Sequence, residues 1–145
     1  MLPPAVGAVQ EILFATSYSL LAKKVAVVGL GCLIGKPIAT WLAGQCPEIY
    51  LLARGSDFNL LKQADLVISG VGKAGLIKPD MLKDDAGIID FGYEYSGGKP
   101  AGDFDVSQLS DVKSQLAFYT PTPGGTGPIV VAKIFENFYK LNAGN

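Results

Sequence analysis

Residues 25–28 read Val-Ala-Val-Val, a continuously apolar run with no polar face. A strand of that kind has to be covered on both sides, which favours the middle of a parallel sheet. Shorter or weaker strand-like runs follow at residues 49–53, 65–69, 87–91 and 117–119. Helical patterns separate them. The first helix is expected over residues 5–21, with Val6, Val9, Leu13 and Leu20 on one face. A second runs from the glycine turn to about Ala43, with Pro37 near its start, where a missing N–H does least harm. A short helix at 58–63 and a helical turn at 78–82 come next, and a last helix spans about 128–141. Its inner stripe should be Val131, Ile134, Phe135 and Phe138. Residues 95–103, YSGGKPAGD, read as a mobile surface turn. Strands alternating with helices through right-handed crossovers define an α/β fold, a doubly wound and mainly parallel sheet with helices on both faces.

Length and composition remove several alternatives. The chain has 145 residues, enough for one domain with a single substantial core, and its 49% apolar content argues against disorder. A net charge of −1 and no basic run argue against a nucleic-acid partner. No apolar run reaches the roughly 18 residues of a membrane span. The N-terminus carries Glu11 and lacks a basic start, unlike a secretory signal. Cys32 and Cys46 form no CxxC pair, so a reducing, cytoplasmic location is the default. The chain contains no histidine, which removes Ser-His triads and His-ligated metals. Asp103 and Asp105 alone are weak support for a metal, and none is expected.

Gly29, Gly31 and Gly35 form G-x-G-x-x-x-G around Leu30, Leu33 and Ile34, between a strand and a helix. In a Rossmann-like fold one such glycine permits the tight turn. The next lets a pyrophosphate approach the backbone, and the third lets helix and strand pack closely. A purely structural turn remains the alternative, since a glycine pattern alone is weak evidence. An acid for the ribose hydroxyls usually follows about 20 residues later. Here the second strand ends in Ala-Arg-Gly-Ser-Asp. Arg54, the sole arginine, and Ser56 suit a 2′-phosphate, whereas Asp57 could serve a ribose. NADP is favoured, with NAD open.

Three further segments carry a resemblance: residues 64–94, "ADLVISGVGKAGLIKPDMLKDDAGIIDFGYE"; residues 102–106, "GDFDV"; and residues 120–137, "TPTPGGTGPIVVAKIFEN". With "GLGCLIGKP" they resemble the C-terminal, cofactor-binding domain of bifunctional methylenetetrahydrofolate dehydrogenase/methenyltetrahydrofolate cyclohydrolase, across nearly the whole chain. The resemblance implies that Gly29, Leu30 and Gly31 form the cofactor turn and that Arg54 sits at the 2′-phosphate. It implies that Val71, Gly72 and Lys73 lie over the adenosine side and Tyr93 beside the nicotinamide. Pro123, Gly124 and Gly125 would approach both nicotinamide and folate. It also implies NADP as cofactor, tetrahydrofolate derivatives as substrates acted on with a further domain, and a homodimer.

The chain departs from the family pattern in places. Leu30 replaces an arginine usual in the turn, Asp57-Phe58 a threonine-bearing stretch, and Thr122 and Thr126 stand where valines are usual. The family's catalytic Tyr-x-x-x-Lys pair belongs to its N-terminal domain. Tyr95 and Lys99 share that spacing, but Gly97-Gly98 between them disfavours the required helix. No catalytic residue is therefore expected in this chain. Two other readings stand beside this one: a stand-alone dinucleotide-binding or assembly module without catalysis, and a domain of another two-domain NADP dehydrogenase resembling shikimate dehydrogenase.

Overall fold

A computed structural model of the chain describes residues 1–111 and 116–143. The Val-Ala-Val-Val run lies in β1 (Lys24–Val28), inside a five-stranded sheet. β1 pairs in parallel with β2 (Glu48–Leu52) on one side and β3 (Leu66–Ser69) on the other. β4 (Gly87–Asp90) lies beyond β3. The chain then makes a separate antiparallel pair, β5 (Glu94–Ser96) and β6 (Lys99–Ala101), before β7 (Phe118–Tyr119) joins β4. The main sheet thus runs β2-β1-β3-β4-β7, with every pairing parallel. From β1 the chain winds outward to β2, then crosses back to β3. Such a reversal leaves a crevice at the carboxyl ends of β1 and β3, where open α/β sheets bind ligands.

Alternate residues of each strand feed two cores. Val25, Val27, Leu66, Ile68 and Ile89 pack under α1 (Pro4–Ala15) and α2 (Gly35–Leu42). Ala26, Val28, Val67 and Ile88 pack on the opposite face with Leu61, Ile77, Leu82 and Phe104. That second face is covered by short 3₁₀ segments, Phe58–Gln63, Pro79–Met81 and Val106–Asp111, instead of full α-helices. Burial on both faces is nearly complete along β1, β3 and β4, as uninterrupted apolar strands require.

Three expectations need correction. α1 stops at Ala15, six residues short of Leu21. The Thr16 hydroxyl donates to the Ile12 carbonyl, and Ser17 takes a φ of 52°, which a continuing helix does not allow. Residues 95–103 are more than the expected surface turn: the structure has the hairpin β5–β6 from Glu94 to Ala101. Gly97 and Gly98 both adopt positive φ, 58° and 79°, the geometry of the tight turns that match strand twist. The third correction concerns α3 (Thr126–Asn142). Val131, Ile134, Phe135 and Phe138 are not its inner stripe; Phe135 is 69% exposed and Phe138 65%.

The inward face of α3 is formed by Thr126, Ile129, Lys133 and Asn137. Lys133 lays its stem over Gly7 of α1, where a Cβ would come within 3.2 Å of Cδ. Its ammonium pairs with Glu11 and Glu136, each at 3.0 Å, and the Asn137 amide donates to the Leu2 carbonyl. A long amphipathic side chain with an apolar stem thus takes the place an aliphatic residue was expected to fill.

This inversion gives a contrast in stability. Ile38→Ala, in the core under α2, should cost about 2–5 kcal/mol in urea unfolding. Phe135→Ser should stay within about 0.5 kcal/mol despite removing a larger apolar group. A large loss at Phe135 would place that side chain inside the folded chain.

Candidate nucleotide-binding site

The turn after β1 uses its three glycines differently. Gly29 sits at φ 86°, and a Cβ there would press on Val71 Cγ2 at 2.9 Å. At Gly35 a Cβ would collide with the Gly29 carbonyl oxygen, so the start of α2 can lie directly on the turn. Gly31 is the exception: a Cβ there would meet no protein atom within 4 Å. Neither packing nor a left-handed backbone requires glycine at that position. A bound group approaching the backbone would supply the requirement. α2 begins at Gly35 with no side-chain cap on its N-terminus. The Lys36 and Ile38 N–H groups donate to the Gly31 and Ile34 carbonyls, and Pro37 has none. What α2 offers an anion is therefore the Gly35 N–H and the positive end of its dipole.

A crevice of about 290 Å³ opens beside this turn. It brings together Gly29, Leu30, Arg54, Val71 and Lys73, with Phe58 and Leu76 forming apolar wall. Arg54 follows the end of β2 and forms no ion pair among the described residues. The Ser56 hydroxyl accepts the Ala53 N–H at 2.9 Å, which shapes the bend carrying Arg54 and leaves its own proton to donate. Asp57 accepts the Asn59 N–H at 2.9 Å and thereby caps the 3₁₀ segment. That bond engages Oδ1 of its carboxylate, and the residue is exposed.

A second crevice, about 300 Å³, gathers Tyr93, Pro123, Gly124 and Gly125 with Phe91 and Thr122. Its loop enters α3 by a tight path: a Cβ at Gly125 would strike the Pro121 carbonyl, and Gly124 has φ 95°. Beneath the loop lies Asp90, 2% exposed. Asp90 accepts the N–H groups of Gly92 (2.7 Å) and Phe104 (2.9 Å). Its own N–H donates to the Thr120 hydroxyl, and the Thr126 hydroxyl donates to its carbonyl. One residue therefore ties together the exits of β4 and β7 and the first turn of α3. Burial pushes its carboxyl above the usual range and the nearby Asp103 adds to this, while the Phe104 and Gly92 amides act in the opposite direction.

Not every expected residue lies in a crevice. Leu33 is 80% exposed on the outer side of the turn. Ile34 lies against Gly70, where a Cβ would approach Ile34 Cγ2 to 2.6 Å, so Ile34 fixes the turn through packing. Ser56 acts through the bend below Arg54, and Gly72, at φ 76°, lies between Val71 and Lys73. Sequence reasoning missed Phe58, Leu76 and Thr122 as wall residues. The only available signal was their position just beyond strands or expected turns. Tyr95 and Lys99 sit on opposite strands of the hairpin, facing Pro100 and Ser96 respectively, and share no helix face. Among the described residues no three Cys, Asp or Glu side chains converge on a metal position, and no helix is long and apolar enough to cross a membrane.

Comparison with known proteins matches residues 3–144 to the family described as tetrahydrofolate dehydrogenase/cyclohydrolase, NAD(P)-binding domain. The bifunctional protein FolD of Bacillus licheniformis is 35% identical over 142 residues, covering 96% of this chain and 49% of that protein. FolD of Macrococcus caseolyticus is 35% identical over 131 residues, covering 89% of this chain and 45% of that protein. The chain thus spans about half the length of the curated relatives it matches. Among solved structures, the bifunctional FolD methylenetetrahydrofolate dehydrogenase/cyclohydrolase from Campylobacter jejuni superposes with a TM-score of 0.88 at 31% identity, over 97% of this chain and 50% of that one. The Trypanosoma brucei enzyme, complexed with NADP cofactor and inhibitor, gives 0.83 at 27% identity, over 94% and 49%. A parallel sheet reversing at β1, a glycine turn open at Gly31 and the Pro-Gly-Gly loop before α3 now have a common explanation: the chain belongs to the tetrahydrofolate dehydrogenase/cyclohydrolase family and corresponds to its NAD(P)-binding domain.

Proposed function

We propose that this chain holds NADP for the interconversion of one-carbon tetrahydrofolates. In that reaction 5,10-methylenetetrahydrofolate is oxidised and the methenyl product is hydrolysed to 10-formyltetrahydrofolate. The observation that carries the reading is the empty space above Gly31, just before α2, in the turn whose Gly29 and Leu30 line a crevice with Arg54 and Lys73. The residues fit a dinucleotide. The turn, the Gly35 N–H and the positive end of α2 would face the pyrophosphate. Arg54 would meet a 2′-phosphate, with the Ser56 hydroxyl as a second donor. Val71, Gly72 and Lys73 would border the adenosine, and Tyr93 and Gly124 would flank the nicotinamide, with Pro123 and Gly125 toward folate. When bound, the nicotinamide supplies the hydride acceptor; the protein supplies orientation and electrostatics.

Groups that activate folate would come from outside this chain. Val131, Ile134, Phe135 and Phe138 give the folate-acting part a surface to cover, since they form an exposed apolar stripe beside the N-terminal residues that α3 contacts. Among the described residues the exposed strand β5 pairs with β6 alone, which leaves its other edge for a homodimer. Two free thiols, Cys32 and Cys46, suit a reducing cytoplasm.

Gly31→Val tests the central contact most cleanly. Nothing in the protein obstructs the new side chain, so stability should change by no more than about 0.5 kcal/mol. Calorimetric titration with NADPH should nevertheless show at least a roughly tenfold weaker affinity, about 1.4 kcal/mol. Unchanged affinity would remove the turn from the site. Arg54→Ala should weaken NADPH about 10- to 100-fold, as expected for lost charge-assisted hydrogen bonds, and leave NADH nearly unaffected. Equal losses for both nucleotides would exclude a 2′-phosphate contact. In a steady-state assay with methylenetetrahydrofolate, the purified chain should bind cofactor without turnover. Sustained turnover by the chain alone would show that it contains the catalytic groups.

A further inference from the structure

We infer that Asp103 is a positioning residue for the cofactor, holding the loop after β3 in the shape that borders the nucleotide crevice. This rests on the NAD(P)-binding reading above. Asp103 is fully buried, and no ion pair among the described residues involves it. Hydrogen bonds hold its carboxylate instead. Oδ2 accepts the Ser69 hydroxyl at 2.5 Å and the Val71 N–H at 2.8 Å, and Oδ1 accepts the Lys73 N–H at 2.7 Å. These donors are the last residue of β3 and two residues of the loop that follows.

The loop those amides belong to is the one facing the nucleotide. Val71 and Lys73 both line the first crevice, and the left-handed Gly72 lies between them. Backbone bonds lace the same segment to the rest of the loop. Gly75 N–H donates to the Gly102 carbonyl, Ile77 N–H to the Asp103 carbonyl, and Asp105 N–H to the Ile77 carbonyl. The carboxylate also abuts the second crevice, because a Cβ at Gly92, next to Tyr93, would run into it. Asp103 therefore sits between the two crevices and touches the backbone of both exits, without lining either.

The chemistry requires an acceptor. A carboxylate only accepts, and three donors point at this one. An amide of equal size must turn its NH₂ toward at least one of them, leaving an N–H unpaired in a buried position. Asp103→Asn thus preserves volume while releasing the loop.

The test compares wild type and Asp103→Asn by NADPH titration, well below the thermal midpoint of either, with amide hydrogen exchange measured on both. The expected result is an affinity loss of about tenfold or more, with faster exchange at Val71 and Lys73 and unchanged protection at Val27 and Ile68 in the sheet. A merely structural role would lower the melting temperature and leave affinity in the folded fraction intact. Affinity within about twofold of wild type, or unchanged exchange at Val71 and Lys73, overturns the inference. Should Asp103→Asn fail to fold, Ser69→Ala removes one donor from the same carboxylate. It should weaken NADPH by about threefold and speed exchange at Val71, and no change in either overturns the inference. A wild-type chain that binds neither NADPH nor NADH instead overturns the cofactor reading itself, and the positioning role with it.

Discussion

Burial of β1 on both faces is the constraint from which the site follows. Val25 and Val27 face one core and Ala26 and Val28 the other, so the strand needs a neighbour on each side and a cover on each face. Parallel pairing with β2 and β3 meets this requirement and directs all five strands of the main sheet toward the same edge. The polypeptide must then leave β1 and return past it to reach β3. Gly29 and Leu30 of the glycine turn, Arg54 of the bend, and Val71 and Lys73 of the loop after β3 are consequently delivered to one crevice, though they lie far apart in sequence.

Two buried carboxylates stabilise the edge so formed. Asp90 collects amides from the exit of β4 and from residue 104, and Asp103 collects those from the exit of β3. Both depend on glycines that leave room for them: a Cβ at Gly102 would collide with Asp90, and one at Gly92 with Asp103. The "GDFDV" segment thus has a physical role that metal coordination does not explain. It braces two loops against each other beside the candidate nucleotide crevice. Flexible surface loops would not give a hydride acceptor a defined orientation.

Local chemistry made much of this legible in the sequence. The strands were readable because uninterrupted Val and Ile runs suit two-sided burial, and the glycine turn because its spacing fits a strand-to-helix exit. Boundaries were less readable. α1 ends where Thr16 bonds back to Ile12 and Ser17 turns left-handed, features that an apolar period does not reveal. The Gly-Gly turn of the hairpin carried a usable signal that composition alone disguised as a loop. α3 was read inside out because its apolar stripe is real but does not face this domain. Lys133 and Asn137 make the contacts with α1 and the N-terminus instead, and hydrophobic periodicity cannot say which partner an apolar face will meet. Asp103 was out of reach for another reason: its three donors come from residues 30 to 34 positions earlier, and it meets them only after the chain has passed through β4 and the hairpin and returned to the exit of β3.

The central claim is that one nucleotide binds across the carboxyl edge of the sheet, from the glycine turn to the Pro-Gly-Gly loop. Titrating NADP into the isotopically labelled chain and following its amide resonances tests this most directly. The account predicts saturable shifts at Gly29, Gly31, Val71, Lys73, Tyr93 and Gly124 with a common dissociation constant, while Phe135 and Phe138 on the outer face of α3 stay unmoved. Shifts confined to α3 or the hairpin, or no saturable shift at Gly31, would contradict it.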